Sequence, residues 1–136
     1  MPVSSTIDYT DDVTSPDIGI EVETHYLQQE SLPEKHRHAF SYTITITNHS
    51  KVGIKLLSRY WHIEDANNKV QEVAGEGVIG QQPHLGFGQS FQYTSGTIIE
   101  TEAGIMEGYY DFVSDIGEVF KAPIPAFTLV NPIHLH

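Results

Sequence analysis

Residues 75 to 80 run Gly75-Glu76-Gly77-Val78-Ile79-Gly80. This is the G-x-G-x-x-G spacing that lets a backbone approach a pyrophosphate closely and offer it N–H donors. Amides of Gly75, Glu76 and Gly77 would form a nest for phosphate, Gly80 would complete the spacing, and Arg59 would add a bidentate positive charge. Glu76 opposes this chemistry, because it sets a negative charge inside the anion site. The dinucleotide version also needs a helix opening on the glycines. Gln81-Gln82-Pro83-His84-Leu85-Gly86-Phe87-Gly88 follows instead, with no helical period and several turn formers. The segment therefore has two readings. One is a phosphate or nucleotide sensor; the other is a place where glycines allow positive φ or close chain crossing between two sheets. The second agrees better with the surrounding sequence.

Histidines offer a different chemistry. His134 and His136 form one H-x-H, and His36 and His38 form another. On a strand this spacing puts both rings on one face, which suits a divalent metal. The first pair ends the chain, where fraying is expected. The second flanks Arg37, whose charge repels cations. Asp8, Asp11 and Asp12 add carboxylates but lack the spaced loop of a calcium site. A divalent-metal-binding protein is thus a further alternative, and no resident cofactor is expected. No nucleophile setting such as G-x-S-x-G occurs, and Glu72 and Glu76 would act as a carboxylate pair only if the fold brought them together. The expectation is a protein that is not an enzyme.

The elements that position these residues are strands. Ile18, Ile20, Val22, Thr24 and Tyr26 alternate with Glu21, Glu23 and His25; Phe40, Tyr42, Ile44 and Ile46 alternate with Ser41, Thr43, Thr45 and Thr47. Period two means half-buried strands, and the β-branched content agrees. A third strand spans Ile54 to Glu64. Strict alternation there puts Arg59 on the face of Trp61, the single tryptophan and best candidate for a core centre; either Arg59 lies at the core's rim or a bulge re-aims it. Asp65-Ala66-Asn67-Asn68 is a hairpin turn leading to a short returning strand with Val70 and Val73. Further strands are expected from Gln89 to Ser95, Ile105 to Val113 and Val119 to Leu129. Pro123 and Pro125 mark the last as an edge strand or a segment that switches sheets. About seven strands, with turn signals between them and no credible helix, read as an all-β, two-sheet antiparallel sandwich, and Gly108-Tyr109-Tyr110-Asp111-Phe112, with the spacing of a tyrosine-corner strand, supports an immunoglobulin-like version. Residues 1–16 read as a flexible polar N-terminal arm, and residues 17–136 as a single domain.

Charge narrows the partners. The net charge is −11, and eight acids precede the first base, Lys35. This excludes the basic footprint of nucleic-acid binders. No apolar run approaches the roughly 18 residues of a membrane-spanning helix, and no signal segment opens the chain, so a soluble cytoplasmic protein is expected. Cysteine is absent, so disulfides and thiolate metal sites are excluded.

Several stretches resemble the ApaG family. They are Leu56-Leu57-Ser58-Arg59-Tyr60-Trp61, the run from Glu72 through Gly80 to Pro83, Phe91-Gln92-Tyr93-Thr94-Ser95-Gly96, Gly104-Ile105-Met106-Glu107-Gly108-Tyr109-Tyr110 and Ile124-Pro125-Ala126-Phe127. The resemblance covers roughly residues 17–136. It implies a fibronectin-type-III-like sandwich of unassigned biochemistry, associated with cobalt and magnesium efflux or resistance. Related domains in larger eukaryotic proteins imply protein binding. The family lends no catalytic set. A non-enzymatic protein-interaction module is therefore the leading expectation, with an unidentified protein partner at loops or edge strands. Nucleotide or pyrophosphate is the alternative ligand, and a homodimer through an edge strand is a further expectation.

Overall fold

The computed structural model describes residues 16–132. Apart from Pro16, the expected N-terminal arm lies outside the described residues, as do His134 and His136. Eight strands follow one another: β1 (Ile18–Tyr26), β2 (His38–Asn48), β3 (Ile54–Asp65), β4 (Val70–Glu76), β5 (His84–Leu85), β6 (Ser90–Ile99), β7 (Ala103–Ser114) and β8 (Val119–Val130). All pairings are antiparallel. One sheet has the order β1-β2-β6; the other has the order β4-β3-β7-β8, with β5 added to β3. The alternating segments of the sequence became strands as expected. The eighth element, β5, falls where the sequence suggested only turns. It forms because Leu85 pairs with Ile54 and is itself buried. Two single 3-10 turns, Gln28–Glu30 and Pro33–Lys35, occupy the link between β1 and β2.

The core lies between the two sheets. Tyr42, Ile44 and Ile46 of β2 and Tyr93 and Ile99 of β6 meet Trp61, Ile63, Met106, Tyr110, Phe112, Ile124 and Leu129 of the larger sheet. Trp61 is 1% exposed and stands edge-on to Tyr42, Phe127 and Tyr110, the arrangement that ring quadrupoles favour. Two bulges make this packing possible. In β3 the register against β7 shifts between Leu56 and Ser58. Ile54 and Leu56 point inward before the shift, and Trp61 and Ile63 after it. In β8 the register shifts opposite Met106 and Gly108. Ala122 and Ile124 are buried before that shift and Leu129 after it. An inserted residue re-phases a strand in this way without breaking its sheet.

The two flanks of the sandwich differ. On one, β1 and β8 lie against each other. The prolines of β8 are on an edge strand, one of the two positions its sequence allows. On the other, β4 and β6 are both edges. At one end Gln71 Nε2 donates to the Ile98 carbonyl at 3.1 Å and Lys69 Nζ meets Glu100 at 2.7 Å.

A buried hydrogen bond joins the sheets. The hydroxyls of Tyr93 and Tyr110 are 2.5 Å apart. The Tyr110 position has the spacing of a tyrosine-corner strand, yet its hydroxyl bonds a side chain of the facing sheet. Burial pushes the Tyr93 hydroxyl up to about 12 and raises that of Tyr110 further. Both folded values exceed the unfolded value of 10.0, so the unfolded chain releases these protons first. The stability they contribute is intact below about pH 10 and is lost as pH rises through the folded values. Denaturant melts at stepped alkaline pH should show this loss, and Tyr110→Phe should flatten it. A stability unchanged between neutral pH and pH ~12 would contradict the buried pair.

Candidate functional site

The glycine segment is a tight hairpin attached to the end of β4. Gly77 has φ +64°, and Val78 and Gln81 exchange backbone hydrogen bonds of 2.8 and 2.9 Å around Ile79 and Gly80. Both central residues have positive φ, 43° and 79°, the geometry of a type I′ turn. A Cβ at Gly77 would collide with the Gln81 carbonyl oxygen, so only glycine fits. The outcome is that Val78 enters the core with no exposure. The chain then returns to Pro83, whose carbonyl accepts the Leu56 N–H at 3.0 Å.

The hairpin uses most of the donors that a phosphate would need. The Gly77 N–H goes to the Leu57 carbonyl, the Val78 N–H to Gln81 and the Gln81 N–H to Val78; Gly75 is the ladder partner of Arg59. Arg59 does reach this segment from the rim of the inner face. Its Nη1 donates to the carbonyls of Glu76 at 3.2 Å and Gly77 at 2.9 Å. The guanidinium lies against Gly75: a Cβ there would stand 3.0 Å from Arg59 Nη1, a tight approach. Arg59, Gly75, Glu76 and Gly77 are thus together, with the arginine joined to the chain's own carbonyls.

The histidines are dispersed. His36 is exposed in the left-handed conformation at the end of the second 3-10 turn. His38 is buried, with Nδ1 3.4 Å from the Tyr26 hydroxyl. Among the described residues, no three His, Asp or Glu side chains are grouped to hold a metal ion. Glu72 and Glu76 share a face of β4 but stand about 13 Å apart at a strand's rise per residue, too far for paired acid–base work.

The outer face of the larger sheet carries a group that the sequence reading did not single out. Directly opposed residues of an antiparallel ladder share a face. Register therefore places Ala74, Tyr60, Tyr109 and Pro123 in one row, and Glu72, His62 and Glu107 in the next. The Tyr60 and Tyr109 rings stack with centroids 5.0 Å apart and 25° between planes. Lys121 Nζ lies 4.1 Å from the Tyr109 centroid and 2.8 Å from Asp111 Oδ1. Ser58 Oγ donates to the other Asp111 oxygen at 2.9 Å. The Lys121 hydrogen bond and the Ser58 bond hold the Asp111 carboxyl below its usual value against a smaller opposing effect of burial. The Tyr60 hydroxyl donates to Glu72 at 2.5 Å, and this bond raises the tyrosine's value. Alternation alone could have shown Tyr60, Glu72, Ala74 and Tyr109 facing outward. Which of them meet depends on the bulge in β3.

Beside that row runs an open edge. The hairpin bonds Asp65 N–H to Lys69 O at one end and Gly77 N–H to Leu57 O at the other. With the unbroken register between them, odd-numbered residues of β4 bond to β3, while Glu72 and Ala74 turn their N–H and C=O groups away from it. Among the described residues, no strand lies beyond β4.

Two antiparallel sheets of three and five strands, packed face to face around a tryptophan-centred core, define an immunoglobulin-like sandwich of the fibronectin-III-like kind. The chain belongs to the ApaG family: the ApaG domain matches residues 28–114. It is 49% identical over 119 residues to Protein ApaG of Xanthomonas campestris pv. campestris, covering 88% of this chain and 94% of the relative. It is 50% identical over 121 residues to Protein ApaG of Photobacterium profundum, covering 89% and 95%. The crystal structure of a Bordetella pertussis ApaA protein superposes with a TM-score of 0.84 at 40% identity, covering 86% of this chain and 95% of that one. These relatives carry no enzyme name.

The hairpin geometry separates two glycines. Gly77→Ala should cost more than the ~1–2 kcal/mol of a left-handed L-residue, because its Cβ also meets backbone. Gly80→Ala, whose Cβ meets nothing within 4 Å, should cost only the conformational part. Urea denaturation of both variants checks this; equal losses would remove the steric role of Gly77.

Proposed function

We propose that this chain is a non-enzymatic protein-interaction module that takes an extended segment of another protein onto the edge of β4. The supporting observation is the row of outward backbone groups at Glu72 and Ala74, seven residues of strand without proline or lysine. Such an edge templates a further strand. By contrast, β8 is interrupted by two prolines and a bulge and lies against β1. The reading rests on that edge and not on a missing catalytic set.

A phosphate or nucleotide sensor at Gly75–Gly80 has less support, since Arg59 and the amides of Gly77 and Val78 are bonded within the hairpin. A role in cobalt and magnesium resistance, implied by the family resemblance, would on this reading act through the recruited protein. A cytoplasmic location fits such a role, and no helix among the described residues is long and apolar enough to cross a membrane.

Ala74→Pro is the sharpest probe. Residue 74 makes no ladder bond to β3, so proline there removes an outward donor while leaving the hairpin's own bonds. The variant should melt within a few degrees of the parent and lose the proteins that the parent retains from a native extract at low salt. Identical capture by two equally folded proteins would defeat the β4 reading.

A further inference from the structure

If a strand docks at β4, the side chains it meets define its chemistry. Glu72, Ala74 and Glu76 form a row along the outer face, a small residue between two carboxylates. Directly across the ladder from Ala74 stands Tyr60, which stacks on Tyr109, which in turn lies under Lys121. From β8 to the open edge, the order is cation, ring, ring, gap. The ring face of Tyr60 turned away from Tyr109 therefore looks over Ala74 towards the edge. Glu72 is held beside this gap by the Tyr60 hydroxyl.

We infer that the segment received by β4 carries an arginine opposite Ala74. Its side chain would cross one strand spacing, about 4.8 Å, and lie over the alanine. The planar guanidinium would cover the free face of Tyr60 between the carboxylates of Glu72 and Glu76. Arginine suits this place better than lysine, because it stacks on rings and donates to carboxylates in the same plane. The aromatic pair would then carry a cation at each end.

Charge argues against the other candidates. A second copy paired antiparallel about Ala74 would set Glu72 opposite Glu76 twice, and like charges directly opposed destabilise a ladder. Each copy also carries a net charge of −11. The neighbouring edge, β6, presents Ser90, Gln92 and Thr94, whose side chains already bond to Thr47, Thr45 and Thr43. It offers no charge to select a partner.

The inference rests on the strand-docking reading, and two peptides separate them. Both are short extended segments of alternating threonine and valine, one with a central arginine and the other with glutamine in its place. Titration into the isotope-labelled full chain should shift the amides of Tyr60, Glu72 and Ala74. The arginine peptide should bind at least about threefold more tightly, the size expected for an exposed cation–ring contact. Ala74→Ile, which fills the gap and leaves the backbone groups in place, should abolish that preference, and Glu72→Gln should weaken it. Equal binding of both peptides at β4 overturns the arginine and leaves strand docking standing. Shifts confined to Thr94 and Gly96, no shift from either peptide, or a dimer of the free chain that Ala74→Pro dissolves would overturn the inference outright.

Discussion

One extra residue in β3 governs much of this molecule. Without the bulge at Leu57, a strand that buries Leu56 would also bury Ser58, Tyr60 and His62, and would turn Trp61 to solvent. With it, both halves of the strand face the core correctly. The Leu57 carbonyl is held by two donors at that point, the Gly77 N–H at 2.8 Å and Gln82 Nε2 at 2.9 Å. The glycine hairpin and the bulge thus stabilise each other. The same phase change sends Tyr60 outward to meet Tyr109 and directs Arg59 to the rim over Gly75.

The flanks show how a sandwich assigns its edges. The outer strands of its two sheets are β1, β6, β4 and β8, with the two-residue β5 following β4 along β3. Two of them, β1 and β8, shelter each other, and the prolines of β8 withhold donors that a stray strand would use. The other two, β4 and β6, are joined at one end by Lys69, Gln71, Ile98 and Glu100. Val73 sits on the inward-facing side of β4, opposite Trp61, yet remains 38% exposed. An inward-facing apolar residue left wet beside unpaired backbone is consistent with a surface completed by another chain.

Much of the fold was legible because period two is a geometric property of strands. β1 begins and ends where its alternation does, and Pro123 and Pro125 narrowed β8 to an edge or a switch between sheets, of which the edge is found. What could not be read was phase and partner. Nothing in Leu56-Leu57-Ser58 says which leucine is inserted; that is decided by the competition of Leu56 and Trp61 for the same core. Tyr60 and Tyr109 lie 49 positions apart in the sequence, and their stacking follows from the register this choice imposes. The glycine spacing was visible at once, but its purpose was not. Its explanation lies in Gln81, Leu57 and Arg59, which only the folded chain brings around it.

Trp61 has an optical consequence. It is the chain's single indole, and its Nε1–H finds no hydrogen-bond acceptor among the described residues. Enclosed by Tyr42, Tyr110 and Phe127, it occupies an apolar setting and is positioned to receive excitation from the neighbouring phenols. Its ladder partner is Val73 on the open edge strand. The molecule therefore carries a natural fluorophore one strand away from the open edge of β4, and what happens at that edge can be followed by the light this residue emits.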